Sequence, residues 1–161
     1  MNYLIHELLN SEELEIIRKN LDKEELFWED GKQTAGKHAA EVKNNLQLKR
    51  DLSLSKKFSE IIIKKILNND LIKSFALPKK VHGTMFSKST SGMKYGRHID
   101  NAYMSTGRAD LSFTIFLNCK DNYEGGALSI ESFNLEKKFR FSTLIISLDI
   151  TLFLLSIKKV S

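Results

Sequence analysis

The residues with the clearest chemical potential stand together in Gly92-Met93-Lys94-Tyr95-Gly96-Arg97-His98-Ile99-Asp100-Asn101. In an extended strand alternate side chains project from one face, so His98 and Asp100 can reach a single point. An imidazole nitrogen and a carboxylate oxygen are two of the three donors of the facial triad that holds non-haem Fe(II) with open positions for chemistry. The same spacing also suits a strand-end histidine hydrogen-bonded to a nearby carboxylate, and spacing alone does not separate the two. Tyr95 either faces that pocket or packs at the strand end with its hydroxyl at the surface. The other histidines are His6, His38 and His82, so none follows Asp100. His82 is a poor surrogate ligand, and Cys119 reads as a small buried apolar residue.

Those residues need elements to hold them. Asn10 with Glu13 three residues on forms the Asn variant of a capping box, and Leu14, Ile17 and Leu21 follow at helical spacing. Turn residues from Trp28 to Gly36 end that helix. A second helix is expected over Ser53–Asn68, where Leu54, Phe58, Ile61, Ile62 and Ile66 make one apolar stripe. After Pro78 the period changes to two. Val81–Ser87, Asp110–Asn118, Ala127–Phe133, Lys137–Phe141 and the alternating run Ile146 to Leu152 read as strands separated by Gly- and Asn-rich turns. Helices first and short strands afterwards give an α+β class, an antiparallel sheet or barrel with helices packed outside.

Composition narrows the function classes. The chain has 161 residues, 42% hydrophobic and 28% charged, which fits one domain with a real core and excludes wholesale disorder. The single cysteine excludes an intramolecular disulfide and a cysteine-rich zinc framework. The apolar run Leu144–Ile157 is shorter than the roughly twenty residues a membrane-spanning helix needs. The N-terminus lacks the basic start and long apolar stretch of a signal peptide, so a cytoplasmic protein without membrane association is expected. The net charge of +5 comes from lysines scattered among Asn and Ile, which reads as a solvated surface and not as a nucleic-acid footprint.

Several blocks in chain order carry a resemblance. Ala40-Glu41-Val42-Lys43-Asn44-Asn45-Leu46-Gln47-Leu48, Phe75-Ala76-Leu77-Pro78, Phe86-Ser87, Gly92 to Ala102, Arg108 to Leu117 and Tyr123-Glu124-Gly125-Gly126-Ala127-Leu128 resemble the PKHD-type hydroxylases, over about residues 1–140. These are Fe(II)- and 2-oxoglutarate-dependent dioxygenases of the prolyl-hydroxylase-like group. The resemblance implies a double-stranded β-helix (jelly-roll) barrel within a single domain over 1–161. Residues 1–77 would form its helical support and 78–161 the barrel. His98 and Asp100 fall on the first two iron ligands, and Tyr95 is a candidate for co-substrate binding. Lys43, Asn44, Asn45 and Gln47 either line the active-site mouth or serve structural hydrogen bonding. The implied cofactor is Fe(II), with 2-oxoglutarate and O₂ as co-substrates and ascorbate as a reductant.

The sequence departs from the family pattern at its far end. Leu155 falls where the third-ligand histidine is expected, and Ser161 precedes the position of the arginine that pairs with 2-oxoglutarate; Arg140 is no match for it. Ser89 stands where the family usually carries tyrosine. The expectation is therefore a C-terminally truncated or frameshifted member whose barrel lacks its last strand, leaving an edge that favours self-association. Three readings follow: a hydroxylase acting on an unidentified C–H bond, an inactive relative, and, ranked last, a module binding an anionic partner.

Overall fold

The computed structural model describes residues 3–23, 27–105, 107–132, 135–139 and 144–147. The elements run β1 (Tyr3–His6), α1 (Ser11–Lys23), β2 (Trp28–Asp30), a 3₁₀ turn (Gly31–Thr34), α2 (Lys37–Glu41), β3 (Lys43–Asn44) and β4 (Leu46–Leu48). Helices α3 (Ser53–Asn68) and α4 (Asp70–Ala76) come next. Then follow β5 (Ser87–Lys88), β6 (Lys94–Tyr95), β7 (Tyr103–Met104), β8 (Gly107–Arg108), β9 (Ser112–Ile115), a 3₁₀ turn (Lys120–Asn122), β10 (Leu128–Ser132), β11 (Leu135–Phe139) and β12 (Leu144–Ser147).

Local chemistry explains the helices. Asn10 Oδ1 accepts from the Glu13 amide at 2.9 Å, and the Asn10 amide donates back to Glu13 Oε2 at 3.0 Å, so the expected capping box starts α1. Lys65 Nζ, 2.7 Å from Glu13 Oε2, ties that first turn to α3 and holds the Glu13 carboxyl below its usual range. Helix α3 has the expected bounds and buries Phe58, Ile62 and Ile66 along one face; Ile61, expected in the stripe, is exposed. Asn69 separates α3 from α4 and caps the latter by accepting from the Ile72 amide at 3.0 Å. The core gathers Leu8, Leu9, Ile17, Leu21, Leu48, Phe58, Ile62, Ile66, Ile72, Phe86 and Leu117. Phe58 meets Phe86 edge-on at 6.3 Å between ring centroids. Among the described residues no helix is long and apolar enough to cross a membrane.

The strands confirm a mixed α+β class but are shorter and more widely distributed than the period of two suggests. Every pairing among the described strands is antiparallel, in the orders β1-β12-β9, β2-β4-β5, β3-β6, β7-β8 and β10-β11. Four strands precede α3, so the helices-then-strands order does not hold: β2 and the 3₁₀ turn occupy the stretch expected to be turn alone, and β1 precedes the first helix. Val81–Ser87 is a strand only at its last residue, because only its end joins a β-ladder; Leu48 N–H donates to Phe86 O at 3.0 Å beside the β4–β5 ladder. Within the final apolar run β12 covers Leu144–Ser147, while Leu148–Ile157, together with Arg140, lies outside the described residues.

Candidate metal centre

The segment after β6 carries His98 and Asp100 in irregular backbone, not in the strand the spacing suggested. Convergence is nevertheless achieved, with His98 Nε2 3.4 Å from Asp100 Oδ1. Three contacts set the imidazole. Its Nδ1 is 2.8 Å from Gly96 O, and because a carbonyl only accepts, Nδ1 carries a proton; in the neutral ring Nε2 is then the nitrogen with the lone pair. The Tyr95 ring stacks on the imidazole at 3.8 Å between centroids and 12° between planes. Backbone approach fixes the turn: Gly96 N–H donates to Val42 O at 2.7 Å, and a Cβ on Gly96 would stand 2.9 Å from Val42 Cβ. Only glycine fits there without displacing Val42.

Asp100 is held from the opposite side. Ser112 Oγ, on β9, donates to Asp100 Oδ2 at 2.6 Å, leaving Oδ1 turned toward His98. His98 is buried, yet its Nε2 makes no hydrogen bond, while the Asp100 side chain keeps partial exposure. A buried imidazole nitrogen with a free lone pair beside a carboxylate oxygen is what a metal ion would satisfy. At 3.4 Å the two atoms are near enough that both could reach one ion at ordinary metal–ligand distances of roughly 2.0–2.2 Å. No group of three or more His, Cys, Asp or Glu side chains suited to a metal exists among the described residues.

The other sequence candidates fall in distinct places. Tyr95 bridges the centre to Lys43, whose Nζ lies 4.9 Å over the ring centroid. Burial, reinforced by Asp100, pushes the Tyr95 phenol up to about 12. Lys43 Nζ donates to Thr34 Oγ1 at 3.2 Å, and that hydroxyl donates to Gln47 Oε1. Desolvation brings the Lys43 ammonium down to about 8, with Arg50 adding to the shift and Asp30 and Asp100 opposing it. The Lys43–Gln47 cluster divides by strand alternation: Lys43, Asn45 and Gln47 are buried, whereas Asn44 faces solvent. Ser89 is buried with an unpartnered Oγ. His82 stands apart, its Nε2 3.0 Å from Arg108 O, and His6 meets Asn69 Nδ2 at 2.8 Å. Cys119 is only partly buried, its thiol donating to Asp121 Oδ2 at 3.6 Å, so it is not the fully buried residue expected. Sequence reasoning missed Ser112 and Thr34, which lie far along the chain from the side chains they hold; a serine gives no sign in sequence of which carboxylate it will meet.

No family model matches the chain. Among curated proteins, a PKHD-type hydroxylase of Prochlorococcus marinus strain MIT 9215 is 64% identical over 143 residues, covering 89% of this chain and 65% of that protein. Another, from strain MIT 9312, is 56% identical over 160 residues, 99% of this chain and 72% of its own length. A third, from strain NATL2A, is 50% identical over 142 residues. The chain thus spans about two thirds of the length of the curated relatives it matches.

Proposed function

The chain belongs to the PKHD-type hydroxylases, and on that premise we propose that His98 and Asp100 form the metal-holding part of an Fe(II)- and 2-oxoglutarate-dependent hydroxylase site. The observation that carries this reading is the orphaned, buried Nε2 of His98 facing Asp100 Oδ1 at 3.4 Å. The antiparallel pairing throughout is compatible with the jelly-roll barrel that the family reading implies.

A ferrous ion held there supplies, with 2-oxoglutarate and O₂, the oxidising power to replace a substrate C–H by C–OH, with succinate and CO₂ as the accompanying products. The chain's own residues prepare that site. Gly96 O fixes the imidazole tautomer, so a neutral nitrogen and not an N–H points into it. Tyr95 covers one face of the ring and limits its rotation. Ser112 occupies one carboxylate oxygen of Asp100 and directs the other inward. His98 is shielded from water while Asp100 remains partly open, which gives ligands an approach from the carboxylate side. The molecule hydroxylated is a C–H compound of unassigned class.

A second reading, an inactive relative that keeps the fold, is favoured by one observation: among the described residues no third His, Cys, Asp or Glu joins His98 and Asp100 as a metal-holding group. Anaerobic titration with Co(II) or Fe(II), followed by a succinate-release assay with 2-oxoglutarate, separates the two. The hydroxylase reading expects a bound metal, succinate formation, and loss of both in His98→Ala. A folded protein that binds metal through His98 yet forms no succinate supports the inactive relative, and one that binds no metal removes the proposed centre.

A further inference from the structure

His98 Nδ1 bonds to Gly96 O at 2.8 Å, so the imidazole is only as well placed as the peptide unit that joins Gly96 to Arg97. Two torsions turn that unit, ψ of Gly96 and φ of Arg97, and glycine restrains its own torsions less than any other residue. On the near side the chain is fixed twice. The β3–β6 ladder sets Tyr95 opposite Lys43, and Gly96 N–H donates to Val42 O at 2.7 Å. On the far side Asp100 is tied to Ser112. Arg97 stands between these anchors, and its side chain reaches out of the segment altogether. Arg97 Nη2 lies 2.7 Å from Glu131 Oε2 on β10.

Strand β10 is a firm mooring, since Leu128 and Ile130 are completely buried. The β10–β11 register sets Glu131 directly opposite Glu136, a like-charge pair that is unfavourable by itself. Glu136 is served within its own hairpin: its Oε1 accepts from Ser129 Oγ at 2.6 Å and lies 3.4 Å from Lys138 Nζ. Ser129 foremost, then Lys138, hold the Glu136 carboxyl below its usual range, and the Arg97 charge adds to the effect. Arg97 is the cation that answers Glu131. With its side chain 74% exposed, this pair adds little to global stability, as exposed pairs generally do. What it supplies is direction.

We propose that Arg97 is a positioning residue for the metal centre: its bond to Glu131 sets the Gly96–Arg97 peptide so that Gly96 O receives the His98 Nδ1 proton and Nε2 faces Asp100. The inference rests on the metal-centre reading for its purpose, while the arrangement itself involves no metal. With the link cut, the peptide turns and Nδ1 loses its acceptor. The tautomer with the proton on Nε2 then gains ground, because Asp100 Oδ1 stands ready to accept it, and that nitrogen is no longer free to ligate.

The test uses the full chain, first without metal. Nitrogen NMR of the histidine rings at about pH 8.5, above the ordinary imidazole midpoint, reports which ring nitrogen carries the proton, with the His98 signals identified by their loss in His98→Ala. Wild type is expected to show Nδ1–H. Arg97→Gln and Glu131→Gln are each expected to add an Nε2–H population, while Arg97→Lys, which keeps the charge, stays close to wild type. Exchanging the partners, Arg97→Glu together with Glu131→Arg, is expected to restore the spectrum that either change alone disturbs, a rescue that a merely space-filling role would not give. Co(II) titration against a competing chelator should then show about threefold to tenfold weaker binding in both Gln variants. That is less than the loss of a direct partner of a ligating histidine costs, since Arg97 acts one link further out. Should Arg97→Gln fail to fold, Glu131→Gln makes the same test from the other end. An unmoved tautomer in the folded Gln variants, Co(II) affinity unchanged in them, or an exchanged pair no better than the single changes would overturn the proposal. A wild-type chain that binds no Co(II) removes the metal centre but leaves the spectral result to judge Arg97, so the two failures are distinguishable.

Discussion

Replacing Ser112 by alanine removes one atom that touches Asp100 and little else. The Oγ–Oδ2 distance of 2.6 Å marks a short hydrogen bond to an ionised acceptor, a class that contributes roughly 1.5–3 kcal/mol. Ser112 pairs with Ser147 in the β9–β12 ladder, a backbone relation that alanine preserves. The effect should therefore fall on the orientation of the carboxylate. Without the hydroxyl, Asp100 can rotate about its last torsion, and Oδ1 is no longer held toward His98 Nε2. Lost orientation of a ligating carboxylate typically costs about tenfold to a hundredfold in metal affinity. Co(II) titration against a competing chelator measures this directly, with thermal unfolding of the metal-free protein as the control. Ser112→Thr, which restores a hydroxyl on a β-branched residue suited to a strand, should bring the affinity back to within about threefold of wild type. Wild-type affinity in Ser112→Ala, or an equal loss in Ser112→Thr, would show that the Ser112 hydroxyl does not orient Asp100.

Three further outcomes are expected. Gly31→Ala should lower stability by about 1–3 kcal/mol in urea unfolding, because its Cβ would meet Asn45 Oδ1 at 2.0 Å and the chain must shift to admit it. Asn10→Ala should cost about 1 kcal/mol through the lost cap of α1. The Glu13 carboxyl titrates below its ordinary value because Lys65 and the Asn10 amide bond to it, so its contribution is present above about pH 4.5 and is lost as pH falls through the lowered folded value. Acid unfolding of Glu13→Gln beside wild type checks this.

What could be read from the sequence was what depends on neighbours along the chain. The bounds of α3 and the Asn10–Glu13 capping box are local matters of periodicity and side-chain reach, and both came out as expected. Val81–Ser87 alternates well enough for a strand, but only its end joins a ladder, and ladder pairing is a property of the fold. His98 and Asp100 were identified for a reason that the geometry modifies. They meet because Gly96, Tyr95 and Ser112 steer an irregular segment, not because a strand puts them on one face. The Lys43–Gln47 cluster was visible as polar residues, while its division into a buried row and an exposed Asn44 needed the structure.

The pairing of β1 with β12 bears on how the protein is made. Tyr3 lies opposite Ser147 and His6 opposite Leu144, and β12 is also the strand that joins β1 to β9. Strand β1 therefore has its β12-facing edge unmet until residues 144–147 have followed it out of the ribosome. At translation rates of about 5–20 residues per second that interval is on the order of ten seconds. Helices α1 and α3, with the Glu13–Lys65 link, can associate well before then. Synthesis thus favours a helical nucleus that forms early and a sheet that closes late. During that wait Tyr3–His6 is an open strand edge that a nascent-chain chaperone could cover.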